Sequence, residues 1–154
     1  MSDVADELAI RDLVARFTDA VNRRATDEFA DLFTDDGEWV VPGMPECRGG
    51  AAAGAQLAGM LEAFAFLVQL VHSGRVQVDG DQASARWYIT EWAADGEGGG
   101  SYFVGTYHDQ LVRTGDGWRF TSRRFDFLWL GRPEMKGKAK PFPEVPAGAV
   151  PWPS

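Results

Sequence analysis

Hydrophobic residues recur with helical spacing near the start of the chain and with alternating spacing over most of its second half. Residues 3–24 carry one apolar face, which consists of Ile10, Leu13, Val14, Phe17 and Val21. A second, short helix is predicted from Thr26, whose hydroxyl can accept hydrogen bonds from free backbone N–H groups. The run Asp35-Asp36-Gly37 ends it, and a short strand at 38–41 follows.

A third helix is predicted over residues 51–71, where apolar side chains again fall on one side. After His72 the period changes from 3.6 to 2, with Val76 and Val78 alternating with polar residues. Asp79-Gly80 is typical of a tight hairpin turn of type I′. Three more strands are predicted at 82–92, 101–114 and 118–130. Hairpin-linked strands after a set of helices predict an α+β domain, with an antiparallel meander covered by helices on one face.

The composition changes after residue 130, which divides the chain into a domain at 1–130 and a Pro-rich arm at 131–154. Six of the eight prolines lie in this second part, so it is predicted to lack helix and strand. Two readings stay open, a disordered tail and an extended arm lying on its own or a neighbouring subunit. The apolar residues Phe142, Val145 and Trp152 favour the arm.

Charge and cysteine content exclude several classes of partner. The formal net charge of −8 argues against nucleic acid and anionic membranes, which both require a basic face. The single cysteine, Cys47, cannot form an internal disulfide, which favours a reducing compartment. The acidic start of the chain has no apolar segment of the signal-peptide type, and the apolar run at 63–71 is too short to span a bilayer. We therefore expect a cytoplasmic protein.

The chain offers few groups for chemistry. It has no HExxH motif, no cysteine pair and no Gly-rich phosphate loop between a strand and a helix, so neither a metal nor another cofactor is expected. Of the two histidines, His72 shares strand parity with Val76 and Val78 and is predicted to face the apolar side. It is either a general base or a structural histidine. His108 has the opposite parity and is expected to be exposed or at a subunit interface.

Other candidates come from the parity of the later strands. Tyr107 and Asp109 share a face with Phe103, so Tyr107 either offers its phenol to a pocket or packs in the core. Asp109 is expected to pair with an arginine of the next strand. Of Arg123 and Arg124, which must point to opposite faces, Arg124 shares parity with the aromatic residues Trp118 and Phe120 and is predicted to point inward. Bulky aromatic side chains are candidate pocket walls, namely Trp39, Trp87, Tyr88, Phe103 and Trp129.

The segments HSGRVQVDGDQA and GTYHDQLVR…DGWRF, after three helices, resemble the SnoaL-like group of the nuclear transport factor 2-like superfamily. The resemblance covers roughly residues 6–130. It implies a cone-shaped, strongly curved sheet wrapped round the N-terminal helices and enclosing a deep apolar pocket. Relatives include scytalone dehydratase, polyketide cyclases, a hexachlorocyclohexane dehydrochlorinase and the small subunits of ring-hydroxylating dioxygenases.

In the dehydratase and dehydrochlorinase branches, the resemblance implies a histidine base that an aspartate near the end of the first helix orients. His72 matches the histidine and Asn22 stands where the aspartate is expected. The leading hypothesis is a cofactor-independent lyase or isomerase acting on a small hydrophobic cyclic compound. In it His72 is the base, Asn22 orients it, and Tyr107 and Arg124 polarise a substrate oxygen. The alternatives are a non-catalytic small-molecule-binding protein and the small subunit of a ring-hydroxylating dioxygenase. The resemblance also implies a homodimer or a homotrimer.

Overall fold

The helices and strands occur in the predicted order, although several boundaries differ. The structure, a computed structural model, describes residues 4–144 and 146–149. The helices are α1 (Val4–Arg23), α2 (Thr26–Ala30) and α3 (Gly50–Glu62), and the strands are β1 (Phe33–Val40), β2 (Phe66–Asp79), β3 (Gln82–Ala94), β4 (Gly100–Thr114) and β5 (Gly117–Gly131).

The five strands form one curved, unclosed sheet in the order β1-β5-β4-β3-β2. Strands β2 to β5 are consecutive antiparallel neighbours, as the alternating pattern predicts, and β1 joins β5 in parallel at one edge. The N-terminal helices pack on the concave face, so the α+β fold is confirmed. Strand β2 is the other edge, which leaves half of its backbone groups without a strand partner.

Helix α1 contributes the apolar face that its sequence predicts. All five of the predicted positions are at most 2% exposed, and they pack with the concave side of the sheet into one core: Ile10, Leu13, Val14, Phe17 and Val21. None of the helices in the described ranges is long and apolar enough to cross a membrane.

The predicted third helix is too long, because the chain leaves the helix at Glu62 and β2 begins at Phe66. Arg24, at the end of α1, donates from Nη1 to the carbonyl of Leu61 at 2.9 Å and from Nη2 to that of Phe64 at 2.6 Å. These carbonyls are at the C-terminal end of α3, where backbone carbonyls have no N–H partner within the helix and a nearby cation is stabilising. His72 therefore lies in the middle of a 14-residue strand and not at a helix-to-sheet junction.

Three one-residue irregularities in β2 and β5 reverse the side-chain parity along these strands. In β2 the register with β3 shifts between Val71 and Gly74, and in β5 the register with β4 shifts across Thr121 and again across Leu128. Since side chains alternate along a strand, each extra residue exchanges the inner and outer faces beyond it. The predicted orientations of His72 and Arg124 are both affected.

The β2–β3 hairpin also differs in detail from the prediction. Asp79 pairs with Gln82, so the loop consists of Gly80 and Asp81. Gly80 has a φ of +60°, whereas Asp81 is not among the non-glycine residues with positive φ. A positive φ at the first central position alone is the pattern of a type II′ turn, so the type I′ prediction was wrong.

The outer face of the sheet carries exposed apolar side chains. Trp92 stacks on Tyr102 with ring centroids 4.1 Å apart, and Tyr102 contacts Trp129 at 5.6 Å. Leu70 and Tyr88 lie on the same face and are also exposed. The homodimer or homotrimer that the resemblance implies stays a prediction.

Beyond Gly131 the described residues form neither helix nor strand. Met135 donates its backbone N–H to the carbonyl of Gly98 at 3.2 Å, which attaches the start of this segment to the β3–β4 loop. Phe142 is 55% exposed, while Val145 and Trp152 lie outside the described residues. The division into a domain and an arm stays a prediction.

Candidate active site

His72 lies on the outer face of the sheet and not in the interior. Its side chain is exposed, and its Nε2 is 2.9 Å from the hydroxyl of Thr90 on the neighbouring strand. The predicted inward orientation was wrong because the irregularity after Val71 separates His72 from the parity of Val76 and Val78. The catalytic role of His72 stays a prediction.

Asn22 contacts Gln69, so its predicted bond to His72 is not formed. Its Oδ1 accepts a hydrogen bond from the Gln69 backbone N–H at 2.7 Å, and its Nδ2 donates to the Gln69 carbonyl at 2.9 Å. Because β2 is an edge strand, these backbone groups point away from β3, and the amide of Asn22 pairs with them as a neighbouring strand would. An ionised aspartate at this position would lack the proton that Nδ2 donates to the carbonyl.

Gln69 directs its side chain inward, onto Glu91 of β3. The two residues are directly opposite each other, and since the Gln69 backbone is bound to Asn22 they form the type of antiparallel pair whose side chains lie closest. Nε2 of Gln69 donates to Oε2 of Glu91 at 3.0 Å, and the two residues are 3% and 6% exposed. Both therefore belong to the concave interior.

The Glu91 carboxyl has an unusual electrostatic environment. Within the described ranges no cation pairs with it, and Gln69 is its one side-chain hydrogen-bond partner. Burial raises the pKa of Glu91 to about 7, and the bond from Gln69 opposes the rise without cancelling it. This carboxyl can therefore both take up and release a proton near neutral pH.

Tyr107 projects from the same concave face, as predicted, and is 3% exposed. Its phenolic oxygen is 3.4 Å from Nε1 of Trp39, which donates to it, and its ring packs against Phe17 and Phe125. Burial raises the pKa of Tyr107 to about 12, so the phenol is neutral at ordinary pH and keeps its proton. Tyr107 is therefore suited to donating a hydrogen bond and unsuited to acting as a base.

Arg123, and not Arg124, enters the interior. Arg123 is fully buried and donates to Oδ2 of Asp109 at 2.9 Å, so the predicted pairing of Asp109 with an arginine of the next strand is confirmed. Nε1 of Trp87 donates to the same oxygen at 2.9 Å. The Arg124 side chain is 63% exposed and lies 3.4 Å from Asp126, because the extra residue Thr121 reverses the parity. The substrate-binding prediction for Arg124 therefore lacks the geometry it needs.

The buried Arg123–Asp109 pair is a core element. The guanidinium carbon lies 4.0 to 4.6 Å from the ring centroids of Phe17, Tyr107 and Phe120. Burial lowers the pKa of Arg123 and raises that of Asp109, and the opposite charge of each partner limits both changes. Asp109 is thus held by a cation and an indole N–H, whereas Glu91 has neither.

Aromatic side chains occupy much of the space that the sequence assigns to an apolar pocket. Besides Tyr107, four aromatic residues have ring centroids within 6.4 Å of that of Phe17: Phe29, Phe33, Trp39 and Phe120. The ring of Phe125 lies where a side chain at Gly105 would be, since a Cβ there would come within 2.1 Å of it.

The predicted pocket walls are divided between core and surface. Trp39 and Trp87 are each 2% exposed and belong to the core. Phe103 is half-buried on the inner face, opposite Glu91, and its ring contacts Phe125 and Phe127. Tyr88 is 41% exposed on the outer face, so its prediction as a pocket wall was wrong. Trp129, also considered a wall, is 54% exposed.

Two surface depressions lie away from these residues. One is between α2 and α3, and the other is bounded by β1, α3 and the β4–β5 hairpin near Arg119. Across residues 4–144 and 146–149, no group of three or more His, Cys, Asp and Glu side chains is arranged to hold a metal ion.

Gln69 and Glu91 are the site residues that the sequence analysis missed. Glu91 has the same parity as Trp87 and Ile89, so an acidic residue on the apolar side of β3 was visible in the sequence. Gln69 lies within the predicted third helix at 51–71, and so strand parity could not be used to predict which way its side chain points.

Comparison with known proteins agrees with this architecture. A family model for the SnoaL-like domain matches residues 2–124. An uncharacterised protein of Mycobacterium tuberculosis is 29% identical over 126 residues, which are 80% of this chain and 86% of that protein.

Two solved structures are similar as well. One, described as an aromatic ring hydroxylase from Novosphingobium aromaticivorans, is 26% identical with a TM-score of 0.80, and the match covers 86% of this chain and 96% of that one. A type 3 hexachlorocyclohexane dehydrochlorinase from Novosphingobium barchaimii shares the fold at 18% identity, with a TM-score of 0.77 over 91% of this chain and 97% of that one. The chain therefore belongs to the SnoaL-like domain family.

Proposed function

We propose that this protein is a cofactor-independent lyase or isomerase for a small hydrophobic cyclic compound, and that Glu91 is its proton-transfer group. The observation that carries the proposal is the position of Glu91, a carboxyl on the concave face that is buried, unpaired with any described cation and bonded to one amide. Buried titratable groups with a pKa near the working pH are typical of acid–base sites. The dehydrochlorinase with the same fold is named for an elimination reaction, which begins with a comparable need for a base.

The contrast between the two buried carboxyls supports this assignment. Burial raises the pKa of Asp109 as well, to about 6, but Arg123 at 2.9 Å opposes that rise with a full positive charge. The ionised form of Glu91 has no such cation in the described ranges to stabilise it, and burial disfavours it. The ionised and protonated forms are therefore closely balanced near neutral pH. Asp109 therefore has a charge partner within the core, whereas the Glu91 carboxyl has none among the described residues.

The chemistry requires no redox step. The ionised Glu91 takes a proton from a substrate carbon, and the electron pair of that C–H bond becomes part of a new double bond. In a lyase a leaving group departs with its own bonding pair, and in an isomerase the proton returns to a different carbon. Tyr107, as a neutral phenol on the same face, is suited to stabilising negative charge on a substrate oxygen.

Exchange of carbon-bound hydrogen with solvent tests the proposal without knowledge of the natural substrate. Bicyclic ketones such as 2-tetralone are incubated with the protein in D2O, and deuterium uptake is followed by mass spectrometry. We expect uptake above the buffer rate for the wild type, loss of that excess in Glu91→Gln, and retention in Glu97→Gln, an exposed glutamate in the next loop.

The variant His72→Ala decides between the two candidate bases. Because His72 is exposed on the outer face, we expect this variant to keep the excess exchange. Loss in His72→Ala together with retention in Glu91→Gln would restore the histidine mechanism. Absence of any excess exchange in the wild type would count against both.

A non-catalytic small-molecule-binding protein is the second candidate. The observation that favours it is the separation of the expected catalytic pair, since Asn22 bonds the Gln69 backbone and His72 lies exposed on the outer face. Binding of 2-tetralone without deuterium uptake in the wild type would support this candidate over an enzyme.

A further inference from the structure

The Gln69 carboxamide has an unused hydrogen-bond acceptor beside Glu91. Its Nε2 is bound to Glu91, but its Oε1 is buried without a hydrogen-bond partner among the described residues. Buried polar atoms in native proteins are nearly always paired, and leaving one unpaired is costly. Other unpaired atoms belong to Thr18, Gln56, Asp109 and Arg123, and Gln69 is the residue of this group that bonds Glu91.

The direction of this acceptor follows from the charge of Glu91. An ionised carboxylate can only accept, so it requires the NH2 group of Gln69 to face it and the carbonyl oxygen to face away. The backbone of Gln69 is held at both its N–H and its C=O by Asn22, so the strand cannot shift to relieve the unpaired oxygen. In the ionised, proton-accepting form, the site therefore presents a base and a hydrogen-bond acceptor side by side.

We infer that Gln69 Oε1 accepts a hydrogen bond from a hydroxyl or N–H group of the substrate, placed next to the carbon that Glu91 deprotonates. This inference rests on the proposed function and specifies its substrate class, which is a hydroxylated or N–H-bearing cyclic compound and not a purely halogenated or hydrocarbon one. Gln69 is then a specificity-determining residue, and Asn22 is a positioning residue that acts through it.

Protonation of Glu91 weakens this preference. A protonated carboxyl can donate a hydrogen bond as well as accept one, so the Gln69 amide can turn its oxygen towards Glu91 and free its NH2 group. The freed NH2 group of Gln69 donates a hydrogen bond and cannot accept one, so it no longer favours a ligand that offers a hydroxyl proton. Since burial raises the pKa of Glu91 to about 7, the preference belongs to the alkaline side of neutral pH.

Two ligands of nearly equal shape test the inference, 2-naphthol and 2-fluoronaphthalene. Equilibrium dialysis at pH 8 is expected to show about tenfold tighter binding of 2-naphthol by the wild type, as one added hydrogen bond in a buried site allows. The preference is expected to shrink at pH 5. Gln69→Met, which keeps the length of the side chain without its amide, should bind the two ligands within about threefold of each other. Gln77→Met, at an exposed glutamine of the same strand, should keep the wild-type preference.

The comparison in the wild type alone can overturn the inference, so it does not depend on how well Gln69→Met folds. Equal affinities at pH 8, no binding of either ligand, or a preference unchanged in a folded Gln69→Met would each contradict it. Failure of the proposed function has a different signature: the naphthol preference would be present and sensitive to Gln69→Met, while no ketone would take up deuterium in the exchange assay.

Discussion

The buried carboxyl of Glu91 predicts a measurable dependence of stability on pH. Its pKa is raised from 4.5 to about 7 in the folded protein, because burial disfavours the charged form. Between these two values the folded state binds more protons than the unfolded state does. The contribution of Glu91 to stability is therefore complete below pH 4.5 and is lost as the pH rises through 7.

The size of the effect follows from the two pKa values. A group that titrates at about 7 when folded and at 4.5 when unfolded changes the free energy of unfolding by about 2–3 kcal/mol between pH 5 and pH 8. Glu91→Gln replaces the carboxyl with an amide of the same shape and removes this titration. Urea unfolding at several pH values should therefore show that the stability advantage of the wild type over Glu91→Gln falls by about that amount as the pH rises from 5 to 8.

Comparison with the variant isolates Glu91 from the other groups, including the buried Asp109, whose pKa burial also raises. Glu97→Gln is the matched control, because it makes the same substitution at an exposed position. If the wild type and Glu91→Gln have parallel profiles from pH 5 to 8, the carboxyl titrates normally. The electrostatic basis of the proposed site would then be refuted.

Two further pairs of contacts give predictions for stability, both measured as free energies of unfolding. Asn22→Asp places a carboxylate oxygen against the Gln69 carbonyl, so it should cost about 1–3 kcal/mol at neutral pH, and a neutral effect would contradict the backbone pairing. Arg123→Met leaves Asp109 buried without its cation and should cost about 3–5 kcal/mol, whereas Arg124→Met at the exposed neighbour should stay within about 0.5 kcal/mol. Equal costs at the two arginines would contradict the inward assignment of Arg123.

The strand pattern was predictable because alternation of apolar and polar residues depends on one buried face. Strands β3, β4 and β5 begin and end within two residues of the predicted positions. The inward position of Tyr107 was predicted from parity, and Asp109 was predicted to pair with an arginine of the next strand, although parity pointed to Arg124 and not to Arg123 as the inward one. These residues lie in stretches where the register runs without interruption.

Parity failed where an extra residue interrupts the register. His72 lies next to such a position and Arg124 lies three residues after one, and neither Ser73 nor Thr121 has a sequence feature that marks a bulge. A bulge is specified by the whole sheet, which must curve round α1, and so local pattern does not reveal it. The consequence is large, since parity predicts an inward orientation for both residues.

The start of β2 was hidden for a different reason. Val68 and Leu70 point to the outer face and Leu67 and Val71 to the inner one, so apolar residues occur on both sides and no alternation is visible. Such a run is compatible with a helix as well as a strand. The role of Asn22 depends on this edge strand, because the asparagine pairs with backbone groups that no second strand covers. The role of Asn22 therefore depends on the tertiary structure and is not visible in the local sequence.

Direct titration of the Glu91 carboxyl tests the central claim most closely. In protein labelled with ¹³C, the side-chain carboxyl resonance of Glu91 is identified by its absence from Glu91→Gln and followed from pH 4 to 9. A midpoint near 7 is the result that a buried, uncompensated carboxyl predicts. A midpoint near 4.5 for Glu91 would contradict its assignment as the proton-transfer group.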